Sequence, residues 1–279
     1  MKKTLQKYLP LLYGLYLKIL VIFARKKAAK TAYHLFCTPR KGRVLEEQRS
    51  FLDGAKDQRL AFNHHSIQTY KWSGGEKTVL LMHGWESNSF RWWRLIPRLQ
   101  EEGYTIIAMD APGHGYSSGT CLNLLVYAKC AQKVIETYNP QYIIGHSMGG
   151  MTLVYHQYKY PNAAIEKIIS LGAPSELPEI MAQFKQILNL NQRVMQALDD
   201  YFMTHFGFHI QDFSTSKYAK ELHKKGLLIH DELDAIAPVS CSERVHANWK
   251  DSTLIKTKGL GHSLHQDGVR DRIIAFLKS

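Results

Sequence analysis

The 279-residue sequence has few cysteines and no pattern among them. Cys37, Cys121, Cys130 and Cys241 form no CxxC and no paired cluster, so they outline neither a zinc site nor a disulfide framework, and small buried side chains are the expectation. An HExxH and any other ligand-spaced His/Cys/Asp/Glu group are also missing, which argues against a metal centre and leaves no cofactor implied. Internal repeats and low-complexity tracts are absent, which excludes solenoids and linkers. The scarcest feature is local: residues 1–45 contain no Asp or Glu, against eleven Lys and Arg. The remaining chain holds 25 basic and 24 acidic residues, so the formal charge of +12 belongs to the amino-terminal segment and the body is neutral. A nucleic-acid groove would need basic residues interleaved with aromatics along the folded body, and no nucleic-acid partner is expected.

What is present is an ordinary globular composition, 45% hydrophobic and 22% charged. The most apolar stretch, Leu9 to Ala24, is broken only by Lys18 and predicts a helix apolar on every face, with Pro10 in its first turn. Sixteen residues span roughly 24 Å, short of the ~30 Å hydrocarbon core. Lys2, Lys3 and Lys7 before the run resemble a signal peptide, but Arg25, Lys26 and Lys27 stand where small residues should mark cleavage. The expectation is a leader over 1–45 that dips into an anionic membrane surface, on a cytoplasmic protein peripheral to or anchored on the membrane. The alternative is a helix folded back on the protein's own surface.

From residue 46 onward the chain reads as one domain. Apolar runs at 59–63, 66–72, 78–84, 104–110, 141–145, 166–172, 226–231 and 252–257 predict strands. Helices are expected over 90–102, 122–137, 148–159, 213–224, 240–249 and 266–277 between them. Short continuous apolar strands alternating with helices mean an α/β fold with a parallel sheet covered on both faces. Residues 175–211 carry large apolar side chains at helical spacing and no strand, and read as a helical insertion after a strand end.

The chemistry concentrates at Gly145-His146-Ser147-Met148-Gly149, a GxSxG pattern where a strand meets a helix. A serine on so sharp a turn is thrust above the sheet, and glycines two positions either side leave it room. The Met148 N–H at the helix start and the Trp85 N–H after the His83-Gly84 turn are the candidate oxyanion donors. Serine is a weak nucleophile at neutral pH and needs a base and an orienting acid. Asp234 and His262 each follow a strand end on the edge where Ser147 sits, giving Ser147 as nucleophile, His262 as base and Asp234 as orienter. His83, His114, Asp110 and His230 are expected to shape loops, and His146 to line the turn.

GHSMGG (145–150), HGW (83–85), DAPGHGYSSG (110–119), HDELDAIAPV (230–239) and GLGHS (259–263) together resemble the α/β-hydrolase superfamily, from about residue 58 to the end. The segment AAKTAYHLFCTPRKGR (28–43) is similar to the leader of a bacterial subgroup of that superfamily. The resemblance implies an eight-stranded, mostly parallel sheet with a helical cap, and a Ser147-Asp234-His262 triad. One position departs from it: Asp231 stands where the acid loop commonly has glycine, which makes Asp231 a rival to Asp234. The implied activity is hydrolysis of a small-molecule carboxylic or lipid ester, by a carboxylesterase or lipase, through an acyl-enzyme. Thioesterase, C–C hydrolase and acyltransferase chemistry on the same triad remain alternatives, as does a non-catalytic protein that uses the pocket to bind ligand.

Overall fold

The structure is a computed structural model that describes residues 2–279, with side chains described from Tyr8 onward. The chain divides into two compact units, one formed by residues up to Thr38 together with Glu176–Ser214, the other by Pro39–Ser175 and Thr215–Ser279.

The larger unit is built on an eight-stranded sheet. In chain order its strands are β1 (Lys56–Phe62), β2 (His65–Trp72), β3 (Thr78–Met82), β4 (Thr105–Met109), β5 (Tyr142–His146), β6 (Lys167–Leu171), β7 (Lys225–Asp231) and β8 (Ser252–Thr257). Their order across the sheet is β1-β2-β4-β3-β5-β6-β7-β8. β2 runs antiparallel to both β1 and β4, and every other pairing is parallel. The strand order reverses direction at β3, between β4 and β5, which opens the crevice outside the strand ends where open α/β sheets bind ligands.

Period-two alternation in these strands builds two cores. Val79, Leu81, Ile106, Ile144, Ile169, Leu227 and Ile229 join one cluster, while Leu80, Met82, Ile107, Ile143, Ile168 and Leu228 join another. Because both faces are covered, the central strands are apolar throughout rather than alternating with polar residues, as a parallel sheet requires.

Going along the chain, the helices are α1 (Lys2–Phe23), α2 (Arg25–Cys37), α3 (Glu46–Asp53), α4 (Leu95–Glu101), α5 (Leu124–Tyr138), α6 (Met148–Lys159), α7 (Leu177–Leu188), α8 (Gln192–Phe206), α9 (Thr215–Tyr218), α10 (Ser240–Asn248) and α11 (Asp267–Lys278). Of the larger unit's helices, α4 and α11 supply Leu95, Ile96, Leu99, Val269, Ile273 and Leu277 to the first core. α5, α6 and α10 supply Tyr127, Val134, Leu153 and Val245 to the second. α5 starts where the Asn123 side chain accepts from the Leu125 and Val126 N–H groups, and it ends at Asn139 in the left-handed region.

Two predicted helices of this unit are shorter than their periodicity suggested. The span 90–102 resolves into a 3₁₀ turn, Ser89–Trp92, followed by α4. Asp110 holds Ser89 through both its N–H and its hydroxyl, Asn88 caps the turn, and Pro97 in the first turn of α4 has no N–H to extend a helix backward. The span 213–224 keeps only α9 and a 3₁₀ turn over Ala219–Glu221. Cys130 and Cys241 are buried and take part in no disulfide.

The smaller unit contains α1, α2, α7 and α8. α8 is set by an Asn191 cap at its start and by Gly207, in the left-handed region, at its end. The predicted apolar helix is present, but it begins at Lys2, so Pro10 lies inside it rather than in its first turn. Gly14 allows a close backbone approach: a Cβ there would stand 1.7 Å from the Leu188 carbonyl oxygen. Leu17 and Val21 are buried, whereas Leu12, Leu15, Ile19 and Ile22 are exposed and Phe23 is 83% exposed. α2 packs on α8, with Tyr33 stacked on Tyr201 at 5.0 Å and Arg25 paired with Asp200 at 2.6 Å. No helix among the described residues is long and apolar enough to cross a membrane.

Candidate active site

Ser147 lies between the end of β5 and the start of α6 with φ 53° and ψ −121°, a conformation rarely adopted by a residue with a side chain. The strain is tolerated because the neighbours leave no alternative path. The Ser147 N–H donates to the Leu171 carbonyl at 2.8 Å, and its own carbonyl accepts from Met151. A Cβ on Gly149 would come within 2.3 Å of the Met82 carbonyl oxygen, and one on Gly84 within 2.8 Å of Ser147 Cβ. The GxSxG glycine therefore lets α6 seat against the end of β3, and the HGW turn runs directly beside the serine.

The three residues singled out from the sequence converge, although they come from the ends of β5, β7 and β8. His262 Nε2 is 3.0 Å from Ser147 Oγ, and His262 Nδ1 is 2.7 Å from Asp234 Oδ2. With Nδ1–H donating to the carboxylate, Nε2 carries a lone pair toward the serine hydroxyl; this tautomer is assigned from the hydrogen bonds. The other Asp234 oxygen accepts from the Ile236 and Ala237 N–H groups at 2.8 and 3.0 Å, so the acid is fixed before it meets the imidazole.

Asp231, the rival acid, is fully buried and engaged elsewhere. One of its oxygens accepts from the Leu233 and Gly259 N–H groups, the other from the Leu260 N–H and the Thr257 hydroxyl. Burial pushes its carboxyl pKa up, but those hydrogen bonds, Leu260 foremost, together bring it below the ordinary value. Asp231 thus knits the β7 loop to the β8 loop and does not reach His262.

The remaining histidines are loop fasteners. His83 Nδ1–H donates to the Gly84 carbonyl and Nε2 accepts from Ala111 N–H, and burial, with His114 nearby, lowers its pKa to about 3. His114 accepts from the Glu86 N–H. His230 spans the Ser242 hydroxyl and the Ala237 carbonyl. Asp110 receives Tyr70, Ser89 and the Tyr116 N–H.

Two contributors were not foreseen in their observed roles. His146 Nε2–H donates to the His262 carbonyl at 2.8 Å, with the rings edge to face at 4.9 Å; burial, then Arg91, holds its pKa well below 6.5. Arg91 Nη2 donates to the Ser263 carbonyl at 2.8 Å. Together they grip the loop that carries His262. The adjacency of His146 to Ser147 was a usable signal, but Arg91, 172 residues away from Ser263, gave none. Met148 opens α6 and Trp85 follows Gly84, both partly buried. Among the described residues, no group of three or more His, Cys, Asp or Glu could hold a metal ion.

A serine in a strained strand-to-helix turn, an imidazole hydrogen-bonded to it and a carboxylate fixed behind the imidazole form the arrangement that a serine nucleophile would need. Residues 77–205 match the family model for the α/β hydrolase fold, which together with the relatives and structural neighbours supports a place in the α/β-hydrolase superfamily. It is 24% identical to "Uncharacterized hydrolase YugF" of Bacillus subtilis over 73% of this chain and 91% of that one. It is also 24% identical to "Probable lysophospholipase L2" of Haemophilus influenzae, over 64% of this chain and 63% of that one. A pimeloyl-[acyl-carrier protein] methyl ester esterase of Klebsiella pneumoniae is 27% identical over 41% of this chain and 48% of its own. Among solved structures, an esterase from Exiguobacterium antarcticum shares the fold with a TM-score of 0.66 at 19% identity, over 80% of this chain and all of that one. The eight-stranded sheet agrees with the expected α/β-hydrolase fold, and the relatives set the chain among hydrolases.

Proposed function

We propose that this protein hydrolyses a carboxylic or lipid ester by a Ser147-His262-Asp234 triad through an acyl-enzyme. The observation that carries the reading is His262 standing between Ser147 Oγ at 3.0 Å and Asp234 Oδ2 at 2.7 Å. Ser147 Oγ attacks the ester carbonyl as His262 Nε2 takes its proton, and Asp234 stabilises the imidazolium. The N–H groups of Trp85 and Met148 receive the oxyanion, and collapse of the tetrahedral intermediate breaks the C–O bond while His262 protonates the departing alcohol. Water, activated by the same imidazole, then cleaves the Ser147 ester, releasing the acid and restoring the serine. The ester preference draws on relatives named as a lysophospholipase and a methyl ester esterase. Ser147→Ala should lower turnover of p-nitrophenyl butyrate by about 10⁴-fold or more and abolish fluorophosphonate labelling. Labelling retained at another serine refutes the assignment.

We further propose that the amino-terminal helices attach the protein to an anionic membrane surface. Leu12, Leu15, Ile19, Ile22 and Phe23 are exposed on α1 although Leu17 and Val21 are buried, and residues 1–45 carry eleven basic and no acidic residues. An apolar face that size on one helix is unusual unless something covers it. Half of those charges near an anionic surface would contribute roughly 5 kcal/mol beyond the apolar insertion. The full chain should pellet with phosphatidylglycerol vesicles, and Leu12→Glu with Ile19→Glu should release it. Equal pelleting of the double variant, or none of the parent chain, refutes the attachment. Removing residues 1–45 is a poorer test, because Ala28, Ala29, Ala32 and Tyr33 of α2 are buried in packing on α8.

A further inference from the structure

Arg40-Lys41-Gly42-Arg43, the last basic residues of the acid-free stretch, lie in the larger unit against two of its loops. One is the turn that carries Trp85 and Glu86, and the other is the loop over 114–119. The Arg40 N–H donates to Glu86 Oε1 at 2.9 Å. The Gly42 carbonyl accepts from the Gly115 N–H at 2.8 Å. Arg43 Nη1 donates to the Gly115 and Ser117 carbonyls at 3.2 and 2.7 Å, and its Nη2 donates to the Gly119 carbonyl at 2.9 Å. One guanidinium thus ties three carbonyls of one loop, a reach that its planar fork of donors allows and a shorter amide does not. Gly42 occupies a place that admits no side chain. Its φ is +99°, and a Cβ there would stand 2.5 Å from His114 Cδ2 and 2.9 Å from the Ser87 carbonyl oxygen, so its backbone packs directly on both loops.

These contacts converge on the candidate oxyanion donor. The Gly84 carbonyl accepts from His83 Nδ1–H at 2.8 Å, and the trans peptide then turns the Trp85 N–H to the opposite side. Gly84 itself lies beside the serine, since a Cβ on it would come within 2.8 Å of Ser147 Cβ. The residue on the far side, Glu86, has φ 51°, a left-handed conformation that a residue with a Cβ adopts at a cost. Its N–H donates to His114 Nε2 at 3.1 Å, and the Trp85 and His114 rings meet edge to face at 5.8 Å. Burial lowers the His114 pKa, so Nε2 keeps the lone pair that this bond needs. A strained turn persists only where its surroundings over-determine it, and here they are His114, Arg40 and Gly42.

We propose that Gly42 and Arg43 are positioning residues for the oxyanion site: they brace His114 and Glu86, and through them hold the Trp85 N–H in place beside Ser147. The inference rests on the function proposed above, in which that N–H receives the oxyanion. It gives the end of the 28–43 segment a task in the reaction, although none of its side chains touches the substrate.

The test compares Arg43→Gln, Gly42→Ala and Lys41→Gln with the parent chain, in p-nitrophenyl butyrate turnover, inhibition by butaneboronic acid and thermal melts. Arg43→Gln should lower kcat at least tenfold, part of the roughly 10²–10³ lost when an oxyanion donor is removed outright. KM should stay within about twofold, and the inhibition constant of the boronic acid, whose adduct on serine is tetrahedral, should rise in step with the fall in kcat. Gly42→Ala should show the same split, and if it fails to fold the exposed Arg43 carries the test. Lys41→Gln removes the same charge from an exposed neighbour and should match the parent. Hydrogen exchange over residues 84–88 should be faster in Arg43→Gln and unchanged in Lys41→Gln. The role is refuted if Arg43→Gln keeps its kcat, if kcat falls only as far as the melt shows unfolded protein, if Lys41→Gln loses as much, or if exchange over 84–88 does not change. If the parent chain neither turns over ester nor takes a fluorophosphonate label, the hydrolase reading fails, while the exchange measurement still decides whether Arg43 holds the turn.

Discussion

Asp234→Asn should abolish most activity without unfolding the protein, and the hydrogen bonds around Asp234 say why. Its Oδ1 accepts from two backbone N–H groups, Ile236 and Ala237. An asparagine must place its carbonyl oxygen there, which turns its NH₂ toward His262 Nδ1, where the carboxylate oxygen now sits at 2.7 Å. An amide donor facing Nδ1 forces the proton onto Nε2, and Nε2 can then no longer accept from Ser147 Oγ. The expected loss is about 10⁴-fold in kcat, roughly 5 kcal/mol of barrier, the scale known for triad acids on other folds. Asp231→Asn makes the control. Both Asp231 oxygens accept from donors, so its amide would meet two of them head on, at a cost of about 1–3 kcal/mol in stability. At least a tenth of the activity should survive. The assay is p-nitrophenyl butyrate turnover beside a thermal melt for each variant. If Asp231→Asn loses activity while folded and Asp234→Asn keeps it, the acid role moves to Asp231 and the geometric argument fails.

Gly149→Ala would drive a Cβ into the Met82 and His83 carbonyl oxygens at 2.3 and 2.6 Å, both backbone atoms at a strand end. A cost of about 3 kcal/mol or more follows, read as a fall in Tm of roughly 6 °C or greater together with loss of serine labelling, and an unchanged melt would contradict it. Stability should also fall on acidification below about pH 6.5. Burial lowers the pKa of His83 to about 3 and of His156 to about 4, and holds that of His146 well below 6.5. The unfolded chain therefore takes up these protons before the folded one does. The stability they support is complete above the unfolded value and drains away as pH falls toward the folded ones, by up to about 1.4 kcal/mol per pH unit for each histidine. Urea midpoints at pH 7.5 and 5.0 test this, and equal midpoints would refute it.

The sheet was legible in the sequence because a parallel strand covered on both faces has to be a short apolar run, and TVLLM, TIIAM and KIISL have no other reading between helices. The turn at Ser147 was legible for a similar reason: crowding at a strand-to-helix junction admits only glycine at 145 and 149, so the constraint is written as residue type. Helix ends were less so. Asp110 pins Ser89 from 21 residues away and shortens the helix expected over 90–102, a contact invisible to periodicity.

What sequence by itself determined was whatever depends on neighbours along the chain: the alternation of strands and helices, the serine turn, the order of Ser147, Asp234 and His262, and the basic, acid-free amino-terminal segment. Only the tertiary structure decided which of two aspartates three positions apart reaches His262, because that depends on where the β7 loop meets the β8 loop. It also decided that His146 and Arg91 hold the loop that carries His262. Hydrogen bonds act over about 3 Å in space and carry no record of sequence separation, so such partners become visible only when the chain has folded.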